Sequence, residues 1–362
     1  MSEEIAERIR ATIRERGPIT FAEFMEHALY GPGGFYEQPP VGVRGHFVTS
    51  PHVHPVFSRL VGIALEELWA VLGRPVPLVL VEAGAGDGTL ARELFGGFER
   101  ASIDVSYTAI ETSAGARAAL SNLAGVNVLE RLADAGPIEA GVLFANELLD
   151  NLPFRRARRR DRLVEVRVGL QGERLVEVET SWEGALPDTP PTIGEESIVP
   201  VGALAFVGEL AEALTRGYAL LVDYGTETGP GGRFHGYRLH HVLEDVLDDP
   251  GSADITTGVD LGAVARRATL LGLRAFGPVP QWAALVALGY EEWAAGELAR
   301  QTDLLDAGRG LDAVRAWEGR GRARLLVDPG ALGRLRWFLL ATEGLPPPAW
   351  FDRARALRAS SD

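Results

Sequence analysis

The 362-residue chain contains no cysteine and no lysine. The first absence excludes disulfides, thiolate nucleophiles, iron–sulfur clusters and cysteine zinc sites. The second excludes a Schiff-base lysine, a pyridoxal-phosphate anchor and a phosphate-loop lysine. All 36 basic residues are therefore arginine, set against 50 acidic ones, for a net charge of −14. A polyanion would be repelled, so no nucleic-acid partner is expected; a basic protein segment or a small-molecule acceptor suits the charge better. No run of about 18 apolar residues is present, so no membrane span is expected. The first residues do not read as a leader: no apolar stretch follows Met1, and Glu3, Glu4, Glu7 and Glu15 break the acid-poor pattern of a transit peptide. The composition points to a cytoplasmic bacterial protein, and a homodimer is possible. The 46% apolar content is enough for a packed core in a chain of roughly two domains' length.

Hydrophobic spacing organises the chain. Ile5, Ile9 and Ile13 predict an amphipathic helix over 2–16, stopped by Gly17-Pro18. Thr20 with Glu23 is a capping box opening a second helix to about Leu29. Residues 30–55 read as loop, and Val56 to Trp69 as a third helix. From residue 78 short apolar runs alternate with helical stretches. Strands are predicted at 78–81, 105–110, 126–129, 141–145 and 218–222, with two more at 273–276 and 334–340. This is the pattern of a doubly wound, mostly parallel α/β sheet. Residues 154–180 read as an inserted antiparallel meander whose Arg-rich run 154–162 forms a solvated face, and 184–200 as a proline-rich linker. A helix over 261–271 follows a candidate Asp260 cap. Residues 282–322 are helical, and the Trp and Leu of 282–341 are assigned to core. The expected organisation is N-terminal helices and a covering loop (1–70), a core (71–153 and 201–280), the meander and linker (154–200), and a helical addition with a final core strand at about 334–341 (281–362).

The strongest chemical signal is VLVEAGAGDGTL, residues 79–90. Gly84, Gly86 and Gly88 lie between a strand and a helix, where a ligand can rest against bare backbone. A dinucleotide fingerprint needs its third glycine at position 89, which is Thr89. Glu82, just before the bend, would repel a diphosphate but favour a cationic ligand. Glu111, at the end of the next strand, stands where a carboxylate can hold ribose hydroxyls. Together these favour S-adenosyl-L-methionine (SAM) over NAD. The alternative is an ordinary glycine turn with solvent-facing carboxylates.

Longer segments resemble the MidA family of class I SAM-dependent methyltransferases. They are GPITFAEFMEHALYGPGGFY (17–36), GHFVTSP (45–51), VEAGAGDGTL (81–90), ANELLDNLP (145–153), LVDYG (221–225), FHGYRLHHV (234–242), PGSADITTGVD (250–260) and DPGALGRLRWFLL (328–340). The resemblance implies a Rossmann-like class I methyltransferase fold. It implies SAM as cofactor and a nitrogen acceptor such as a protein arginine. It puts the donor against Gly84, Gly86 and Gly88 under a covering loop with Thr49, Ser50 and Pro51, and the methyl near Asn146 and Glu147; with Glu82, Ala85, Glu111 and Thr112 these make the expected donor site. The family usually carries acids where this chain has His46 and His52.

Methyl transfer requires alignment of the acceptor with the methyl group. A guanidinium is a weak nucleophile, and a carboxylate can orient it and take its proton. Glu147 is the expected primary acid and Asp150 the secondary one, three residues apart at a strand-to-helix junction; Asp150 also reads as a first-turn helix carboxylate. His46 or His52 can serve as base for a hydroxyl or amine, which leaves open a small-molecule O- or N-methyltransferase; a SAM-binding assembly factor without turnover is a third reading. No metal site is expected, since His52 and His54 have no obvious carboxylate partner. Asp223 and Tyr224 are candidates for cavity contact, as are His240 and His241, and a structural role is the alternative for each.

Overall fold

The structure is a computed structural model that describes residues 2–37, 49–184, 187, 190–227, 234–238, 241–243 and 245–360. Its centre is a seven-stranded sheet. In chain order the strands are β1 (Leu78–Ala83), β2 (Val105–Ile110), β3 (Val126–Leu129), β4 (Gly141–Asn146), β5 (Gly217–Asp223), β6 (Arg274–Pro280) and β7 (Arg336–Ala341). They lie side by side as β6-β7-β5-β4-β1-β2-β3. β5, β4, β1, β2 and β3 pair parallel, while β7 is antiparallel to both β5 and β6.

The period of two along each strand divides the interior into two layers. Tyr218, Leu220 and Val222 of β5 join Trp337 and Leu339 of β7 on one face, over the helices Val56–Val71 and Thr89–Arg100. Ala219, Leu221, Phe338 and Leu340 face the other side, under the helices Val201–Ala213 and Leu261–Leu270. The Asp260 carboxylate caps the second of these by accepting the N–H of Ala263 at 2.9 Å. Because both faces are covered, ligand access is left to the strand ends.

A second layer of structure flanks this core. The helix Ser2–Arg16 and the capping box at Thr20 form as the spacing predicts: Thr20 N–H donates to Glu23 at 2.9 Å and Glu23 N–H to Thr20 Oγ1 at 3.1 Å. The capped helix runs to Tyr30, as expected, but changes form part-way. Phe21–Met25 is α-helical, and Glu26–Tyr30 widens into a π-turn. The meander builds its own five-stranded sheet from Ile19–Thr20, Arg155–Arg159, Leu163–Gln171, Arg174–Ser181 and Glu196–Val199, separate from the central one. The last strand corrects the linker expected at 184–200: residues 196–199 pair with 155–158.

Two further expectations change. The arginine run is a network of ion pairs, not a solvated face. Arg156, almost fully buried, holds Glu177 and Glu196, with its guanidinium over the rings of Phe21 and Phe234. Arg155 and Arg167 share the fully buried Glu165 at 2.6 and 2.8 Å. The helices Tyr290–Asp306 and Gly310–Ala323 pack largely on each other. They leave Leu311 78% and Trp317 58% exposed, so those side chains are not core. No helix among the described residues is long and apolar enough to cross a membrane.

Candidate active site

Four strand ends meet at the carboxyl edge of the sheet. β1 ends at Ala83 and passes into the glycine bend. Gly84, Gly86 and Gly88 all have positive φ, at +71°, +56° and +75°, a region glycine enters without steric cost. They differ in what surrounds them. A Cβ on Gly88 would stand 2.8 Å from Leu123 and 2.9 Å from Leu120, so this glycine lets the bend pack on the helix Ala114–Leu120 and the turn after it. A Cβ on Gly86 would meet nothing within 4 Å. Gly86 borders a cavity of about 480 Å³ that Gly84, Ala85, Asp87, Glu82, Glu111, Thr112, Asn146 and Glu147 also line. Its size falls in the range of about 300–1,000 Å³ of small-molecule sites.

β2 delivers Glu111. One carboxylate oxygen accepts the N–H of Gly86 at 2.8 Å and the other that of Ser113 at 2.8 Å. Burial raises its pKa, and those donors hold the rise back. β4 delivers Asn146 and Glu147. Glu147 sits at φ +51°, strained for a residue with a side chain, and its N–H donates to the carbonyl of Val222 at 2.7 Å. Asp223, at the end of β5, explains how the strain is held. Its Oδ2 accepts the N–H groups of Leu148 and Leu149 at 3.1 and 2.6 Å, and Oδ1 that of Tyr224 at 2.7 Å. Glu147 Oε1 accepts from Ser50 N–H and from the Asn146 amide, each at 3.0 Å. Burial raises its pKa, opposed by those donors.

The short helix Ser50–Val53 lies across the edge. His52 ties it down: Nε2 meets Asp87 at 3.1 Å and Nδ1 meets Thr49 Oγ1 at 2.9 Å. Burial opposes ionisation of Asp87, but hydrogen bonds from His52 and Thr89 carry it down to about 2. Glu82 is buried with the Tyr107 hydroxyl donating to it. Burial, with Glu111 and Asp87 nearby, pushes it up to about 8.

The cavity thus gathers Glu82, Gly84, Ala85, Gly86, Glu111, Thr112, Thr49, Pro51, His52, Asn146 and Glu147. Gly88 and Ser50 stand behind it and act through packing and through the Ser50 N–H. Asp150 does not reach the lining. Residues 147–152 form a tight turn and no helix follows, so Glu147 and Asp150 share no helical face. Asp150 is buried beneath the turn with Oδ1 unpartnered, and burial beside Asp223, Asp254 and Glu147 raises its pKa strongly. Asp223 and Tyr224 are likewise outside the lining, and His241 lies exposed on the strand His241–Leu243. His46 and His240 lie outside the described residues. His54 packs instead on Trp293, with ring centroids 5.0 Å apart and planes tilted at 58°. Sequence reasoning missed Glu26, Tyr30, Tyr36, Asp87 and the 130–133 loop in the lining. Spacing carries no sign of them, although Tyr30 and Tyr36 lie within the family-like segment 17–36.

Residues 60–279 match the model of a family described as "Putative S-adenosyl-L-methionine-dependent methyltransferase". The chain belongs to this family. A Drosophila melanogaster relative, protein arginine methyltransferase NDUFAF7 homolog, mitochondrial, is 30% identical over 76% of this chain and 73% of its own. The human protein arginine methyltransferase NDUFAF7, mitochondrial, is 28% identical over 77% and 72%. Among solved structures, a Burkholderia thailandensis protein bound to S-adenosyl-homocysteine superposes with a TM-score of 0.81 at 24% identity, covering 97% of this chain and 94% of that one. The fold is that of a class I methyltransferase, the enzyme is a methyltransferase, and its methyl donor is SAM.

The cavity fits that donor. The open side of Gly86 offers bare backbone, and Asn146 Oδ1 is buried with no hydrogen-bond partner, ready for an N–H donor. Among the described residues the lining holds seven carboxylate side chains and one arginine, an environment for a cation and against a diphosphate.

Proposed function

We propose that this methyltransferase acts on a cationic nitrogen acceptor, an arginine guanidinium on a basic protein segment. The observation that carries the reading is Glu147: a half-buried carboxylate in the cavity lining, held by two N–H donors and in no ion pair with an arginine among the described residues. The relatives named as protein arginine methyltransferases support it.

In this reading the backbone of Gly84, Ala85 and Gly86, with Glu82, Glu111, Thr112, Thr49, Pro51 and Asn146, holds the donor, while Gly88 and Ser50 shape the bend and the cover. SAM, when bound, supplies an electrophilic methyl group on a sulfonium. Glu147 hydrogen-bonds the guanidinium, draws positive charge toward the nitrogens it contacts, and accepts the proton the attacking nitrogen gives up. The raised pKa of Glu147 makes it a better base than a surface carboxylate. Asp150 lies too deep to touch an acceptor and supports the turn.

A histidine-based small-molecule reaction is less well supported, because both ring nitrogens of His52 are engaged. A bacterial cytoplasmic setting rests on composition and belongs to the proposal; the curated relatives are named as mitochondrial.

The test is methyl transfer from labelled SAM to arginine-containing protein, with the product identified by mass spectrometry. The wild type yields methylarginine, and Glu147→Gln lowers kcat by about 10²–10⁴ with S-adenosyl-homocysteine affinity retained. Transfer to oxygen, or no methylarginine from protein that binds the donor, would overturn the reading.

A further inference from the structure

Part of the cavity wall lies outside the set of residues assigned above to the donor. It comes from the N-terminal segment, where the π-turn Glu26–Tyr30 places Glu26 and Tyr30 on the lining together with Tyr36. Widened turns of this kind recur at functional sites. The Tyr30 and Tyr36 rings stack with centroids 5.5 Å apart and planes at 23°. Their hydroxyls are committed elsewhere: Tyr30 donates to the carbonyl of Asn151 at 3.0 Å, and Tyr36 to Asp254 Oδ1 at 2.6 Å. The Asn151 amide donates to that same Asp254 oxygen at 2.9 Å. The two rings are therefore bolted to the turn that carries Glu147, and it is ring surface that they offer the cavity. Glu26 lies at the rim, partly exposed, with no side-chain hydrogen bond or ion pair among the described residues. Burial is the one influence on its carboxyl, and it acts unrelieved.

A pair of aromatic rings beside an unneutralised carboxylate is a recognition surface for a cation. Two cations enter this enzyme: the donor and, on the reading above, the acceptor. The position of the wall, anchored to Asn151 just past Glu147 and contributed by a segment apart from the glycine bend, favours the acceptor. We propose that Glu26, Tyr30 and Tyr36 form the entry path for the cationic acceptor side chain, with Glu26 selecting a guanidinium over a neutral group. The assignment rests on Glu147 facing the acceptor.

The experiment uses the full chain loaded with S-adenosyl-homocysteine, titrated with N-acetylated Gly-Arg-Gly and with its citrulline counterpart, a neutral near-isostere. The wild type binds the arginine peptide about tenfold more tightly than the citrulline one. Glu26→Gln removes most of that preference, weakening the arginine peptide about three- to tenfold while leaving the citrulline peptide and S-adenosyl-homocysteine unchanged. Tyr30→Phe keeps the ring and the preference; Tyr30→Leu loses it. Wild-type affinity for arginine in Glu26→Gln overturns the proposal alone, and so does weakened S-adenosyl-homocysteine binding, which would give Glu26 to the donor. A wild type with no preference for arginine over citrulline overturns this proposal and the arginine reading together. The two failures are thus told apart by which protein shows them.

Discussion

Glu82 should lose a proton when the donor binds. At the end of β1 its carboxyl is pushed up to about 8, by burial first and by Glu111 and Asp87 second. At pH 7 a group of that pKa is about 0.9 protonated. A sulfonium and an ammonium in the same cavity favour the ionised form. If they return the group to its ordinary 4.5, nearly all of that 0.9 proton leaves. Log affinity for SAM then rises about one unit per pH unit from pH 5.5 to 7, about 30-fold or 2 kcal/mol in all. In that window the donor's own α-amine stays protonated. Calorimetry at pH 7 in two buffers of different ionisation enthalpy reads the proton directly, and Glu82→Gln should abolish both the release and the slope. S-adenosyl-homocysteine, with one cation fewer, should release less. The sign for stability follows from the same shift. A carboxyl raised in the folded state contributes fully below about 4.5 and loses that contribution as pH rises through 8. The ligand-free Tm should therefore fall from pH 5 to 8, and fall less with SAM bound. A binding enthalpy independent of buffer, with a flat Kd from pH 5.5 to 7, would refute the reasoning.

The glycines should separate by role. Gly86→Val should fold at a cost of about 1–2 kcal/mol for its positive φ and show no thermal shift with S-adenosyl-homocysteine, whereas Gly88→Ala, meeting Leu120 and Leu123 at positive φ as well, should lose about 2–4 kcal/mol in denaturant unfolding and still bind. Asp223→Asn turns an N–H toward backbone donors in either amide orientation. It should cost about 1.5–3 kcal/mol of stability, and lower kcat about 100-fold at saturating donor while S-adenosyl-homocysteine affinity holds. His52→Ala unties the covering segment from Asp87. It should weaken donor binding several-fold with kcat within about threefold of wild type, whereas a fall of about 100-fold in kcat would restore His52 as the base.

The central sheet was legible because each strand carries its own two-sided pattern. Every one of the seven was visible as a short apolar run, and the observed bounds differ mainly in length. What the pattern hid was decided by distant partners. The strand Glu196–Val199 lies among prolines and exists because Arg155–Arg158 pairs with it. The turn 147–152 looks helical by its acids but is held open by Asp223, more than seventy residues away. The charge of 154–162 suggested a solvated face because the opposing glutamates come from other strands. In the site, the glycine spacing sufficed to find Gly84 and Gly86. It could not show that Gly88 answers to Leu120 and Leu123 and not to a ligand. His52 invited a catalytic role by its residue type alone. Only the fold shows that Asp87 and Thr49 occupy both of its nitrogens.

The acidity of the cavity ties these details to the chemistry. Desolvated carboxylates such as Glu82, Glu111 and Glu147 destabilise a ligand-free protein as pH rises through their elevated pKa values. A fold that needed only stability would replace them with apolar side chains. Keeping them makes physical sense where cations bind, because each arriving positive charge relieves a cost already present in the empty cavity. The relief is not equal along the reaction. The sulfonium charge that the proposal brings into the cavity with Glu82 disappears as the methyl leaves, while the acceptor stays cationic: a guanidinium that gains a methyl and gives one proton to Glu147 leaves as a methylguanidinium. The carboxylate that stabilises the bound donor is thus the one that loses its partner in the product state, which favours proton re-uptake at Glu82 and weaker retention of S-adenosyl-homocysteine at pH 7. Product release should accordingly quicken as pH falls from 8 toward 6. Glu147, facing a charge that outlasts the sulfonium, is neutralised by the proton it takes, which frees the methylguanidinium to leave as a cation.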